Sequence, residues 1–207
     1  MLPFFFMHYD PIVDIYYIAD HGSTDKSRAI LNDHPKVVLT EFLCSESSFV
    51  DSARIHYNEC WKISRGKADW VIVCNIDEHF YHPNLTDYLT KSRSDGITLI
   101  RPTGYNMVSD TFPTPERSLQ SQIRIGKRDP FWDKPQLFNP NSIEDINFAA
   151  SRHTAQPTGA AKKDTSGKIK LLHYKYMGQE YLFNRSLQLG SRMKPIDLMN
   201  GWGPTLP

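Results

Sequence analysis

Ile15-Tyr16-Tyr17-Ile18-Ala19 runs directly into Asp20-His21-Gly22-Ser23-Thr24-Asp25, and this stretch decides the fold class. Consecutive apolar residues rich in β-branched and aromatic types, without polar alternation, read as a strand buried on both faces, as in a parallel sheet. The strand ends on an acid and a glycine turn. Ser23 or Thr24 is then placed to cap a helix running through Ile30 and Leu31. Pro35 closes that helix, and Val37 to Leu39 reads as the next strand, so the whole forms a β-α-β unit.

Working outward, Leu2, Phe5, Phe6 and Tyr9 follow the spacing of one helix face, and Pro11 stops that helix. Downstream, Phe49, Ala53, Tyr57 and Cys60 mark a longer helix that leads through Gly66 into a strand at Trp70 to Cys74. Alternation of strand and helix predicts an α/β fold with a mostly parallel sheet flanked by helices, binding ligands at the carboxyl ends of its strands. Beyond residue 100 many prolines break the pattern into short strands and loops. Strand signals there lie at Ile123 to Ile125 and Lys168 to Leu172. A last amphipathic helix over Glu180 to Leu189 precedes a tail, 191–207, expected to be loosely ordered.

The chain has 207 residues, enough for one α/β domain with a full core. Its 40% hydrophobic and 23% charged residues and formal net charge of +1 fit an ordinary soluble protein and give no reason to expect nucleic acid as a partner. The apolar run Leu2 to Met7 is too short for a transmembrane segment and has neither the basic start nor the cleavage site of an export signal. Three cysteines, Cys44, Cys60 and Cys74, lack metal-ligand spacing and fit reduced thiols in a cytoplasmic protein, at most peripheral at the inner face of a membrane.

A second polar cluster ends the strand at Trp70 to Cys74: Asn75-Ile76-Asp77-Glu78-His79-Phe80. Oxygen ligands flanking an apolar residue at a strand end can hold a hard divalent cation whose other positions go to water and a diphosphate. A plainer role for Asp77 and Glu78 is to close a turn at the sheet edge. For the first motif the plainer role is a strand-to-helix turn in which Ser23 and Asp25 cap the helix.

ADHGSTD followed some fifty residues later by NIDEHF resembles the family 2 glycosyltransferases, in the branch that writes DNGSTD and DxDEF. LPFFFMHYDPIVD, GYNMVSDTFP, KPQLFNP and LLHYKY resemble further blocks of that branch. The resemblance implies a GT-A fold over residues 1–190, with a nucleotide-sugar half at 1–100 and an acceptor half at 101–190. It implies transfer of a sugar from a UDP or GDP donor to the hydroxyl of a glycan or other acceptor, with inversion and with Mn²⁺ or Mg²⁺. Asp20, His21, Gly22, Ser23 and Asp25 would form the donor pocket, with Asn75 on a sugar hydroxyl and Lys175 on the diphosphate. Asp77 and His173 would be the metal ligands. Asn75 stands where the family usually has an acid, and it brings no charge.

An inverting transfer needs a general base, and a carboxylate is the usual choice. Asp110 is the first candidate and Asp145 the second, with Glu144 and His153 also open. Tyr105, Phe112, Phe131 and Trp132 could stack on sugar faces or fill the core. A GT-A sheet begins with a strand that precedes the opening helix, so the fold as read lacks its first strand. A nucleotidyltransferase would want a glycine-rich basic phosphate loop near the amino end, which is not seen. The alternative function is a non-catalytic nucleotide- or glycan-binding remnant of the family.

Overall fold

The structure, a computed structural model, describes residues 1–202. Helix α1 (Leu2–Tyr9) leads into strand β1 (Tyr16–Asp20), helix α2 (Ser27–Asp33) and strand β2 (Val37–Glu41). Helix α3 (Phe49–Glu59) continues as a 3-10 turn at Cys60–Ser64, followed by β3 (Val71–Ile72), β4 (Glu78–Tyr81), α4 (Leu85–Ser94), β5 (Leu99–Ile100) and β6 (Thr103–Ser109). Then come α5 (Leu119–Gln122), β7 (Gly126–Arg128), β8 (Leu137–Phe138), β9 (Lys163–Asp164), β10 (Lys170–Met177), α6 (Gln179–Gly190) and α7 (Pro195–Met199).

β1 and β2 pair in parallel, Ile18 opposite Leu39, as the β-α-β reading requires. The other strands form two four-stranded mixed sheets, ordered β4-β10-β6-β7 and β3-β8-β5-β9. Within them only β10–β6 and β5–β9 are parallel, while β10–β4, β6–β7, β3–β8 and β5–β8 are antiparallel. The fold is therefore mixed α/β rather than one mostly parallel sheet. Parallel pairing needs a crossover connection, usually a helix. The later strands β8, β9 and β10 instead return from far along the chain into sheets begun by the first half, where most of their pairings are antiparallel. The strand signal at Ile123 to Ile125 also gives way, with the paired residues falling at Gly126–Arg128 after α5.

α1 is buried on more than one side because it sits between two parts of the core. Leu2, Phe5, Phe6 and Tyr9 pack with Tyr16 and Leu31, while Phe4 packs with Met107, Leu119, Leu172, Tyr174 and Met177. Burying each phenylalanine contributes about 1.5–3 kcal/mol. Tyr9 adds a polar pin to β4, since its hydroxyl donates to Glu78 O at 2.9 Å and accepts from Phe80 N at 2.9 Å. Ile18 of β1 and Ile72, Cys74 and Ile76 pack on the same cluster, which brings the two motifs to one region of the molecule.

Residues 191–202, expected as loose tail, contain α7, which docks on the start of α3. The buried Asp197 carboxylate accepts from Ser48 Oγ (2.5 Å), Phe49 N (3.0 Å), Val50 N (3.3 Å) and Lys194 N (2.9 Å). Residues 203–207 of that tail lie outside the described residues. A carboxylate at a helix amino end completes its free N–H groups and meets the positive end of its dipole. Asp197→Ala is expected to lower unfolding free energy by roughly 3 kcal/mol, because buried donors to a charged acceptor lose their partner together. Urea unfolding checks this, with the midpoint falling at an unchanged slope.

Candidate functional site

The turn after β1 is closed by its own acid. Asp20 accepts from Ser23 N at 3.1 and 3.3 Å and from Arg28 Nη1 at 3.0 Å. Burial opposes ionisation of Asp20, but the Ser23 contacts and the Arg28 charge outweigh it and lower the pKa. Gly22 adopts φ +63°, in the left-handed region that glycine enters without strain. Neither Ser23 nor Thr24 caps α2. Asp25 instead accepts from Ser27 N at 2.9 Å. His21 packs edge-on to Phe42 and beside Phe49, at the start of α3.

The second motif is the crossing between the two four-stranded sheets. β3 pairs with β8, Val73 N extends that ladder to Gln136 O (2.9 Å), and after a tight turn Glu78 opens β4 in the other sheet. Asn75 N donates to Glu78 Oε2 at 3.0 Å, so Glu78 does close the turn. It also carries more than a turn. Fully buried Glu78 accepts from Lys134 Nζ (2.6 Å), Gln136 Nε2 (3.1 Å) and Arg152 Nη2 (3.3 Å). Burial alone would raise the Glu78 pKa, but the Lys134 and Arg152 charges overcome it and hold the carboxylate ionised.

Backbone strain aims Arg152 inward. Ser151 and Arg152 have φ of 59° and 62°, a costly conformation for residues with side chains, and it turns the guanidinium onto the Tyr57 ring, 3.7 Å from its centroid. Arg152 Nη2 reaches Asn75 Oδ1 at 3.0 Å, and the Tyr57 hydroxyl donates to the same oxygen at 3.2 Å. Lys134 Nζ lies 4.1 Å from the Trp132 ring.

Strand register builds the remaining wall. β10 places His173 opposite Glu78 on one side and Asn106 on the other, in one cross-strand row. Asp77 is held beside that row because its carbonyl accepts from Tyr174 N at 2.8 Å. His173 Nδ1 contacts Asn106 Oδ1 at 2.8 Å, and its Nε2 lies 3.8 Å from Asp77 Oδ2. The Trp132 ring stacks on His173 at 3.5 Å. That approach depends on Gly104, where a Cβ would come within 2.5 Å of the Trp132 backbone. Three buried polar atoms around this cluster, Asp77 Oδ1, Gln136 Oε1 and Arg152 Nε, have no hydrogen-bond partner among the described residues. Such atoms are uncommon and call for a ligand, an ion or water.

Asp77, Asn75 and His173 are thus brought together. Lys175 is not: it follows His173 at a bulge in β10, and its Nζ is 5.6 Å from the Tyr176 ring centroid. Asp110 is exposed just past β6. Asp145 is exposed, pairs with Lys62 at 2.8 Å and lines an open cleft of about 600 Å³ with Arg65 and Asn141. Lys62 lowers the pKa of Asp145, a poor setting for a proton acceptor. Glu144 is exposed beside it, and His153 stacks on Phe131 at 3.5 Å. Lys134, Gln136 and Arg152 were not assigned from sequence, and Trp132, expected on a sugar face or in the core, stacks on His173 instead. The block Lys134 to Pro140 carried a resemblance but no role.

Histidines on both faces of this region are held neutral. Burial pushes His173 and His8 down to about 4, and it depresses His79, which stacks on His8 at 4.5 Å, well below 6.5. A histidine whose folded pKa is depressed takes up protons preferentially when unfolded, so stability is complete above about pH 6.5 and declines as pH falls toward 4. Each such group contributes a slope of up to about 1.4 kcal/mol per pH unit in that window. Urea midpoints should therefore be level near pH 7–8 and drop steeply below about 6. Midpoints that stay level down to pH 5 would show that these rings are charged in the folded protein.

Compared with known proteins, the chain matches no family model, and no curated protein matches it. Among the described residues no helix is long and apolar enough to cross a membrane.

Proposed function

We propose that this chain is a cytoplasmic glycosyltransferase of the GT-A kind that moves a sugar from a UDP or GDP donor to an acceptor hydroxyl, with inversion and with Mn²⁺ or Mg²⁺. One observation carries the reading. The buried Asp77 Oδ1 lacks a partner among the described residues, and Asp77 Oδ2 lies 3.8 Å from His173 Nε2, so a carboxylate and an imidazole stand side by side. These residues fit a cation whose remaining positions are filled by water and diphosphate. A carboxylate with an imidazole favours Mn²⁺ over Mg²⁺.

When bound, the cation would neutralise charge on the leaving diphosphate. Lys134 and Arg152 outnumber Glu78, so the cluster keeps net positive charge next to Asp77. The Asp20 to Asp25 turn would hold the base or ribose, and the exposed Phe131 is open to a sugar face. Among the carboxylates weighed as general base, Asp110 is preferred to Asp145, which is paired with Lys62.

The alternative is a non-catalytic binding remnant. It draws support from Asn75, whose carbonyl oxygen is already taken by Arg152 and Tyr57. Calorimetric titration of UDP and of GDP, each with and without Mn²⁺, tests the main reading, which requires one of them to bind in a Mn²⁺-dependent way. Slow Mn²⁺-dependent release of UDP or GDP from a sugar nucleotide would rule out the remnant. Absence of binding by either nucleotide would overturn the main reading and leave only the glycan-binding form of the alternative.

A further inference from the structure

The proposed cation site raises the question of what makes His173 present a lone pair rather than an N–H toward Asp77. The answer lies two strands across the sheet, just past β7, in Asp129. Its carboxylate takes two N–H groups, Phe131 N on Oδ1 at 3.0 Å and Asn106 Nδ2 on Oδ2 at 2.8 Å. We infer that Asp129, acting through Asn106, sets the tautomer of His173 and so turns the Nε2 lone pair toward Asp77.

The chain of logic uses donor and acceptor identity alone. An ionised carboxylate only accepts, so the atom of Asn106 that faces Asp129 is its NH₂ group. The amide oxygen then faces His173 Nδ1 at 2.8 Å. A carbonyl oxygen also only accepts, so the hydrogen on the ring sits at Nδ1. A neutral imidazole has one N–H, which leaves Nε2 with its lone pair. The ring cannot turn to escape this arrangement, because Trp132 stacks on it at 3.5 Å and the residue is 4% exposed. Asp129 also anchors that stack, since its bond to Phe131 N caps the 3-10 turn Pro130–Trp132 that carries the indole. One carboxylate therefore fixes both the protonated nitrogen and the plane of the ring. Asp129 and Asn106 are positioning residues in this scheme. Use of the lone pair as a cation ligand rests on the proposed function, whereas its orientation does not.

Asp129→Asn is the decisive variant. An asparagine there can still accept from Phe131 N while offering its own NH₂ to Asn106, which frees the Asn106 amide to flip and present NH₂ to His173. Nitrogen-15 NMR of the ring in the metal-free full chain at pH 7.5 reads the result. Native protein should show a protonated Nδ1 and an unprotonated Nε2, and Asp129→Asn should move the proton to Nε2. Asn106→Ala, which removes the acceptor without offering a donor, should give a mixture of the two forms. Mn²⁺ affinity, measured by titration with the metal alone, should fall about 10–100-fold in Asp129→Asn, as when an outer-shell partner of a ligand is lost. The inference is overturned if the native ring carries its proton on Nε2 or on both nitrogens, or if Asp129→Asn leaves the tautomer unchanged. Native protein that shows the expected tautomer but binds no Mn²⁺ would overturn the cation site and leave the role of Asp129 standing.

Discussion

Glu78→Ala is expected to lower the unfolding free energy by roughly 3–5 kcal/mol, the usual cost of removing one partner from a buried ion pair. The substitution leaves Lys134 and Arg152, each with a side chain 2% exposed, facing one another with no anion between them. It also strands Gln136 Nε2 and Asn75 N, which donate to the same carboxylate. Lys134→Met should cost less than half as much. Glu78 then keeps Arg152 as its partner, and a methionine fills the lysine's volume without a charge. Urea midpoints of the two variants at pH 7.5 give the comparison. Equal losses would mean that the lysine, and not the imbalance of charge, sets the penalty, and a loss under about 1 kcal/mol for Glu78→Ala would show that water reaches the cluster.

The second large effect concerns binding. Asp77→Ala should weaken Mn²⁺-dependent binding of UDP or GDP by at least about 100-fold, since a direct ligand matters more than the outer-shell contacts that cost 10–100-fold. Folding should survive, because Asp77 Oδ1 has no partner among the described residues and the nearest Oδ2 contact is 3.8 Å long. What holds position 77 in place is its backbone carbonyl on Tyr174 N, which the substitution keeps. Titration calorimetry reads the affinity and circular dichroism the fold. Unchanged nucleotide binding in a folded Asp77→Ala protein would sink the cation site.

Legibility in the sequence followed the range of the interactions. α1, β1, α2, β2 and α3 were readable because each is specified by a local period and a nearby stop, such as Pro11 or Pro35. β5, β8 and β9 were not, since each pairs over two residues with partners distant in sequence, as Leu99 does with both Phe138 and Lys163. Without their positions the parallel expectation had nothing to correct it. At the candidate site, Asn75 and Asp77 stood out as polar residues at a strand end, while His173 was marked by the family resemblance and lies inside β10. Lys134 and Arg152 did not, because basic residues in a proline-rich stretch are ordinarily exposed. What buries Arg152 is a pair of left-handed residues at 151 and 152, a conformation that no glycine announces. Gly104 was equally silent, as its need for a missing side chain follows from Trp132, which only the fold brings alongside.

The crossing at residues 73–78 joins the two four-stranded sheets, and the ions buried there come from both sides of it. Glu78 begins one sheet, while Lys134 and Gln136 lead into β8 of the other. Sliding one sheet against the other would carry a carboxylate away from its cations inside a dry interior, which is far costlier than separating two oily surfaces by the same distance. Motions that open or close this molecule should therefore be sought in the turns that flank the sheets, with the paired sheets moving as one block.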